Sequence, residues 1–222
     1  MYKISVCSDW FKYFALVAMT AAHIDLYILH TNWLNNTLGR MAFPLFAFLL
    51  LKNFCQYHPI KKYIFRLTLF GLLTQACFFL FKIQTGNILF TFLYAIIFLS
   101  LAESLCKKYS FLNQAYYLTL LFLILFPFIL ISAYSLPGFF FLLALYAYFH
   151  HKSRLNYWAV IFTTLAINST DLIATLSSLF TMILLLNYVK IKNGARLIKW
   201  WAFYIYYPLH IILLNALAYL FE

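Results

Sequence analysis

Long runs of apolar residues, separated by short polar connections, make up most of the chain. Runs of about 17 to 25 residues are long enough to cross the hydrocarbon core of a bilayer as a helix. Dividing the runs at polar residues, glycine and proline predicts nine helices, at residues 11–29, 38–55, 66–82, 88–106, 115–132, 136–150, 156–167, 171–189 and 200–220. The sixth and seventh are short, so tilted or re-entrant segments stay open for them. The pattern predicts an all-α, polytopic membrane helix bundle in which residues 1–222 form a single domain.

The composition supports a membrane protein. With 66% hydrophobic and 9% charged residues, the chain has too little polar surface to cover a soluble globule. A net charge of +11 would indicate nucleic acid in a soluble protein, but here the basic residues lie in short clusters between apolar runs, so we expect no nucleic acid partner. Cys7, Cys55, Cys77 and Cys106 are widely spaced, so neither a disulfide framework nor a metal site is predicted.

The basic residues lie almost all on one set of alternate connections. Fourteen of the sixteen Lys and Arg residues do so, and only Arg40 and Lys82 fall on the other set. Because connections rich in Lys and Arg stay in the cytoplasm, the N-terminus is predicted to be cytoplasmic and the C-terminus, after nine crossings, external. Lys3 and Lys12 before FALVAMTAAH resemble a signal peptide, but the apolar stretch resumes after Asp25, so the first helix is expected to be retained.

This topology brings several polar residues to the extracytoplasmic side, among them His23, Asp25, Arg40 and Asn87, with His210 deeper in the last helix. A charged side chain in hydrocarbon costs roughly 2.5 to 3.5 kcal/mol, so each needs a partner, a water-filled cavity or a function. His23 and Asp25 lie some 200° apart around a straight helix and cannot pair directly. The simplest interpretation is a histidine that bonds to another helix and a solvated aspartate.

Two prolines fall beside these polar residues. Pro44 has no N–H to donate to the carbonyl of Arg40. Pro208, two residues before His210, likewise has no N–H to donate to the carbonyl of Tyr204. Arg40 is consistent with a side chain that extends to the membrane surface from a helix end. His210, in the middle of a span, is an equally good candidate for lining a cavity.

Four strings carry a resemblance to a known family. ALVAMTAAHID at 15–25, LGRMAFPLFAFLL at 38–50, TGNILFTF at 85–92 and FYIYYPLH at 203–210 resemble successive signatures of the TraX family. That family consists of integral membrane proteins linked to N-terminal acetylation of F-type conjugative pilin. The resemblance covers residues 12–98 and about 198–214. It implies a bacterial cytoplasmic (inner) membrane location and a distant similarity to transmembrane acyltransferases, which pass an acetyl group from cytosolic acetyl-CoA to an amine across the membrane.

The resemblance makes His23 the leading catalytic candidate, because it matches the histidine of the family's Asp-His motif. The preceding residue departs from that motif, since Ala22 stands where the family has aspartate. Asp25 could substitute for it, the member could have an altered activity, or the change could be a deliberate inactivation. The Tyr-Gly string expected near residue 134 reads AYSLPG here, which leaves the role of Tyr134 open.

Acetyl transfer to an amine needs a base and a donor for the developing oxyanion. His23, Asp25, Arg40 and His210 are the candidate catalytic residues, with Asn87 or Tyr207 as further donors to substrate or oxyanion. The phosphates of acetyl-CoA, the cosubstrate, could bind the basic segments KKYIFR and KIKNGARLIK. The candidates there are Lys61, Lys62, Arg66, Arg196 and Lys199. The same segments are explained equally well as topology signals, and no metal is expected.

Two hypotheses follow. The first is a membrane acyltransferase that uses acetyl-CoA and an external amine or hydroxyl acceptor, which could be a pilin peptide. The alternative is a non-enzymatic small transporter or membrane assembly factor, in which the same His, Asp and Arg residues form a proton or solute path.

Overall fold

The computed structural model describes residues 4–57, 60–192 and 200–221. Within them the chain forms nine α-helices and two short strands. The helices are α1 (Ser8–Ile24), α2 (Arg40–Tyr57), α3 (Ile60–Leu80), α4 (Ile88–Lys108), α5 (Phe111–Leu130), α6 (Ser135–His150), α7 (Arg154–Ile167), α8 (Leu172–Asn187) and α9 (Trp200–Phe221). The strands are β1 (Ile4–Cys7) and β2 (Val189–Lys192). The predicted helical bundle is confirmed.

Six helical segments in the described residues are long and apolar enough to cross a membrane. These are Ser8–Leu29, Asn35–Gln56, Ile60–Leu80, Ile88–Lys108, Phe111–Leu130 and Trp201–Leu220. Helices α6 and α8 are apolar but shorter, and α7 has only 14 residues. The number of crossings and the orientation of the termini therefore stay predictions.

The two strands were not predicted. They pair in parallel, with Ile4 opposite Val189 and Cys7 opposite Lys192. The predicted eighth span ran to residue 189, which is the first residue of β2. Four residues are too few to show the alternation by which a strand is recognised in a sequence. The pair joins the segment before α1 to the segment after α8.

Helix α2 lies at the centre of the packing, in contact with α1, α6 and α8. Helices α3 and α4 pack together, and α9 packs on α3 and α1. The largest fully buried side chains include Phe43 and Phe54 of α2 and Phe139 and Phe141 of α6. Because these rings fill the space between helices, the ends of the helices are held in fixed positions. Functional side chains at those ends are thereby positioned by the bundle.

Several connections meet at one end of the bundle, which we call the histidine end. Asn36, between α1 and α2, donates a hydrogen bond of 2.7 Å to Asp171, which caps α8. Gly86, before α4, lies so close to the carbonyl of Ile131 that a Cβ there would be 2.0 Å from its oxygen. The opposite end, where α2, α6 and α8 finish, carries Lys52 and Lys152 and is called the lysine end.

Candidate active site

Two histidines on different helices contact each other. Nδ1 of His23, in the last turn of α1, lies 2.8 Å from Nε2 of His210, in the middle of α9. The ring centroids are 4.9 Å apart. His23 thus finds its partner on another helix, as its position on α1 requires. The contact joins residues that are separated by 187 positions in the sequence.

The neighbouring hydrogen bond fixes which nitrogen carries each proton. Nδ1 of His210 lies 2.9 Å from the carbonyl oxygen of Tyr206. A carbonyl can only accept, so Nδ1 of His210 carries the proton and its Nε2 holds a lone pair. His23 must then donate from Nδ1, which leaves the lone pair of His23 on Nε2. In the described structure that Nε2 has no hydrogen-bond partner.

The burial of the two rings differs. His210 is only 4% exposed, whereas His23 is half-buried. Tyr206 stacks on His210 at 5.1 Å and 7°, and Tyr27 stacks on His23 at 5.8 Å and 19°. The lone pair that is not used between the two rings is on Nε2 of His23, and the stacked tyrosines restrict the rotation of both rings.

Tyr206 is itself held in place by α1. The hydroxyl of Thr20 donates to the carbonyl of Leu16 at 2.8 Å. The only proton of that hydroxyl is used there, so the hydroxyl of Tyr206 donates to the oxygen of Thr20 at 2.5 Å. A second cross-helix bond thus fixes α9 against α1 one turn away from the histidine pair.

A second set of polar groups lies near His210 and begins with Tyr207 on the same helix. The ring of Tyr207 lies 5.5 Å from the ring of His210. The backbone N–H of Ile88, at the start of α4, donates a hydrogen bond to the hydroxyl of Tyr207. Tyr134, between α5 and α6, is an electrostatic neighbour of Tyr207. The hydroxyl of Tyr207 keeps its own proton available for donation.

Arg40 joins this set through Tyr134. Its guanidinium donates a hydrogen bond to the Tyr134 hydroxyl, and Phe43 stacks on the Tyr134 ring at 3.9 Å. Burial raises the pKa of the Tyr134 hydroxyl, while the charge and the hydrogen bond of Arg40 act in the opposite direction. Nε of Arg40 is buried without a hydrogen-bond partner in the described residues. A buried donor without a partner is costly, so this N–H is a candidate contact for a ligand.

Asp25 accepts the hydrogen bonds of the connection between α1 and α2. It is fully buried and accepts hydrogen bonds from the Thr31 backbone at 3.1 Å, from the Thr31 hydroxyl and from the Asn35 backbone at 3.0 Å. These bonds close the connection between α1 and α2. The prediction of a solvated aspartate is wrong, because the carboxylate is occupied by that connection.

Two π-helical turns flank this connection. Asp25–Leu29 continues α1 and Asn35–Gly39 precedes α2. Gly39 packs on α1 so closely that a Cβ would lie 2.5 Å from the Cβ of Ala22. The space beside the Ala22 side chain, at the position where the family motif has aspartate, is therefore filled by the backbone of the second π-turn. Arg40 follows Gly39 directly and is therefore placed beside α1, the helix that carries His23.

Asn87 has the contacts of a structural cap. Its side-chain oxygen accepts from the backbone of Leu89 at 3.0 Å, and its amide donates to the carbonyl of Gly71 and to Gln75, each at 3.0 Å. Both N–H groups of the amide are used, so none remains for an oxyanion. Asn87 therefore caps α4 in this structure, and its suggested contact to a substrate stays a prediction.

Three of the five basic residues suggested for acetyl-CoA lie on α3, in the described part of the chain. Lys61 and Lys62 are exposed in the first turn of α3, and Arg66 is an electrostatic neighbour of Tyr204. Arg196 and Lys199 lie outside the described residues. Among the described side chains, no three His, Cys, Asp or Glu residues form a group that could hold a metal ion.

The sequence did not indicate the supporting residues Thr20, Tyr27 and Tyr206. In a chain with 18 tyrosines, neither residue type nor hydropathy separates those beside the histidines from those that face lipid. The spacing of Tyr206 and His210, four residues apart on one helix, is the one signal that could have found the carbonyl partner.

These features define a multi-pass helical membrane protein with a histidine pair at the interface of α1 and α9. The chain belongs to the TraX protein family, whose profile matches residues 7–218. A similar protein is the "Probable fimbrial assembly protein FimC, serogroup H1" of Dichelobacter nodosus, 28% identical over an alignment of 230 residues that covers 91% of this chain and 92% of the relative. No solved structure matches the chain.

Proposed function

We propose that the protein is a transmembrane acetyltransferase that moves an acetyl group from cytosolic acetyl-CoA to an amine on the extracytoplasmic side. The observation that carries the proposal is the lone pair on Nε2 of His23, held there by the bonds from His23 to His210 and from His210 to Tyr206. Such a nitrogen can act as a base or as a nucleophile. Membership of the TraX family supports the reaction class.

In direct transfer, Nε2 of His23 removes a proton from the acceptor amine while the nitrogen of the amine attacks the thioester carbonyl. The new C–N bond forms, the C–S bond breaks, and CoA leaves as a thiol once His23 returns the proton to sulfur. During this step the ring of His23 is positively charged. His210 stabilises that charge by accepting the Nδ1 proton more strongly at its own Nε2.

In the two-step route, Nε2 of His23 attacks the thioester itself, the bond from Nε2 to the acetyl carbon forms, the C–S bond breaks, and CoA leaves as a thiolate. The acylated ring passes its Nδ1 proton to Nε2 of His210, whose Nδ1 proton stays bound to the Tyr206 carbonyl. The acceptor amine then attacks the acetyl carbon, the C–N bond forms and the bond to Nε2 breaks. Nδ1 of His23 regains its proton from His210, and the proton lost by the amine goes to the CoA thiolate. Both routes use the same nitrogen and the same partner.

The oxyanion of either route is assigned to Arg40. Its buried Nε has no protein acceptor in the described structure, and a preorganised N–H aimed at a developing charge lowers the barrier. Tyr207 supplies a second O–H near His210. The acceptor we infer is a peptide amine of a pilus subunit, which agrees with the name of the fimbrial assembly relative.

The test uses purified protein, labelled acetyl-CoA and pilin-derived peptides, with transfer measured by mass spectrometry. His23→Ala should lower turnover about 10²- to 10⁴-fold, the usual contribution of a general base, while leaving CoA binding unchanged. His210→Gln keeps an acceptor oxygen near the position of Nε2 and should retain more activity than His210→Leu. His151→Ala, at an exposed histidine of the lysine end, is the control and should behave as wild type. Wild-type turnover in His23→Ala would contradict the proposal.

A non-enzymatic assembly factor is the second candidate, favoured by the name of the fimbrial assembly relative. In that case the histidine pair would carry protons or stabilise the α1–α9 interface. Absence of transfer from acetyl-CoA to any peptide acceptor, together with loss of pilus assembly in cells that carry His23→Ala, would support this candidate over the enzyme.

A further inference from the structure

A cavity lies at the lysine end of the bundle, away from the histidine pair. Its volume is about 680 Å³, and it opens between the final turns of α2, α6 and α8. Among its lining residues are Lys52, Cys55, His150 and Lys152, with Tyr148 and Phe149. This size is in the range of cavities that bind small molecules.

The lining combines positive charge with aromatic surface. Lys52, Lys152 and His150 provide cationic or donor groups. The described lining contains no Asp or Glu, and Glu103 of α4 is an electrostatic neighbour of the lining residue Cys55. Phe149 packs edge-on against Phe48, with ring centroids 5.0 Å apart, and Tyr148 lies beside it. Lysines bind phosphate as point charges, and aromatic faces stack on nucleic acid bases. The chemistry that fits both is a phosphorylated nucleoside.

We propose that this cavity binds the adenosine 3′,5′-diphosphate end of acyl-CoA, with Lys52 and Lys152 on the phosphates. The proposal rests on the proposed acetyltransferase function and names a donor site for it. It differs from the binding segment suggested by the sequence, because Lys61 and Lys62 stand exposed on the first turn of α3 and do not line this cavity.

The position of the cavity suits a donor that reacts at His23. Lys52 is an electrostatic neighbour of Lys12 on α1, and Lys12 is paired with Asp9 at 2.6 Å. From Lys12 to His23 the helix rises eleven residues, or about 16 Å. In CoA, a long flexible pantetheine arm separates the nucleotide from the thioester. A nucleotide bound at the lysine end can therefore present its thioester to a histidine deeper in the bundle.

An anionic lipid headgroup carries the same phosphate chemistry, so the test has to separate the two sources. Cys55 lines the cavity and is a free thiol, as is the exposed Cys106. Alkylation of Cys55 therefore reports occupancy, and alkylation of Cys106 in the same sample is the internal reference. Both are quantified by peptide mass spectrometry on the full chain in phosphatidylcholine nanodiscs.

Adenosine 3′,5′-diphosphate and CoA should each slow the alkylation of Cys55 and leave that of Cys106 unchanged. Lys52→Gln and Lys152→Gln should each raise the half-protecting concentration about tenfold, because each removes a charged contact to phosphate. Lys107→Gln removes one positive charge from the exposed end of α4, outside the cavity lining, and should leave protection unchanged.

Three results would overturn the assignment. The first is equal protection of Cys55 in Lys52→Gln, Lys152→Gln and wild type. Lower unfolding temperatures of the two variants would not change that conclusion, because lysines that only offset the negative ends of helices also stabilise the fold. The second is loss of protection confined to Lys61→Gln and Lys62→Gln. The third is protection by phosphatidylglycerol nanodiscs alone, with no further effect of nucleotide.

The outcome also separates this proposal from the acetyltransferase itself. Acetyl transfer without protection of Cys55 would place the donor elsewhere and leave the reaction standing. Lysine-dependent protection without transfer would support the nucleotide cavity and contradict the acetyltransferase.

Discussion

At the scale of single residues, the site depends on a proton arrangement that needs no acid. In many catalytic histidines a carboxylate orients the ring; here the Tyr206 carbonyl orients His210, and His210 orients His23. This series of hydrogen bonds between neutral groups is suited to a buried interface, where an additional unpaired charge would be costly. In the proposed mechanism this arrangement takes over the orienting role of the motif's aspartate, at whose position Ala22 stands.

Restoring that aspartate should be unfavourable in this protein. Ala22 is 6% exposed and lies against Gly39, so the larger side chain of Ala22→Asp must displace the second π-turn. We expect a loss of about 1 to 3 kcal/mol in the free energy of unfolding and no gain in turnover, measured by thermal unfolding and acetyl transfer. Ala21→Asp, one position away, controls for a carboxylate on α1. Higher turnover of Ala22→Asp with unchanged stability would show instead that the missing aspartate limits the activity.

The sequence was sufficient to select the histidines, because a titratable side chain in an apolar run stands out. Hydropathy carries no information on which helices touch, so it could not show that the two rings are in direct contact. Asp25 was misjudged for another reason. Its acceptor oxygens bond to Thr31 and Asn35 through a π-turn, whereas the sequence pattern assumes regular α-helical geometry. Asn87 was selected for its polarity, but the chain uses it as a cap.

At the scale of elements, the connection between α1 and α2 determines where both Ala22 and Arg40 lie. Two π-turns, Asp25–Leu29 and Asn35–Gly39, reverse the chain, and His30 and Asn32 between them adopt positive φ values of 56° and 60°. π-turns occur often at functional sites. Asp25 holds the whole connection by accepting three hydrogen bonds.

Asp25→Asn is expected to act through this connection and not through the chemistry. An amide can offer only one acceptor oxygen, so a buried donor of Thr31 or Asn35 loses its partner. The cost is about 1 to 3 kcal/mol in the free energy of unfolding. Thr31→Ala, which removes the hydroxyl donor alone, should cost less. Thermal unfolding of both variants tests the order. If Asp25→Asn kept full stability and lost all transfer, Asp25 would be a catalytic residue.

At the scale of the whole molecule, the bundle has two chemically different ends. The connections at the histidine end carry few cations, and Lys52 and Lys152 lie at the lysine end. Helix α7 connects the two ends with 14 residues, about 21 Å, which is less than the usual hydrocarbon thickness of about 30 Å. The bundle is therefore thinner at α7 than at its longer helices.

The orientation follows from the charges and is open to direct measurement. Fourteen of sixteen Lys and Arg residues fall on one set of connections, so a reporter at residues 57–60 should be cytoplasmic and one fused after Glu222 should be external. Alkaline phosphatase and green fluorescent protein fusions report the two sides. A cytoplasmic signal after Glu222 in an active protein would mean that one of the short helices does not cross.

The contact between His23 and His210 also has a consequence for how the protein is made. The two residues are 187 positions apart, and at about 5 to 20 residues per second their synthesis is separated by roughly 10 to 40 s. For that time α1 stands in the bilayer with its histidine unpartnered, because α9 has not yet emerged. Nε2 of His23 is oriented only when α9 packs on α1, so a nascent chain that stalls before α9 lacks the hydrogen bonds on which the proposed reaction depends.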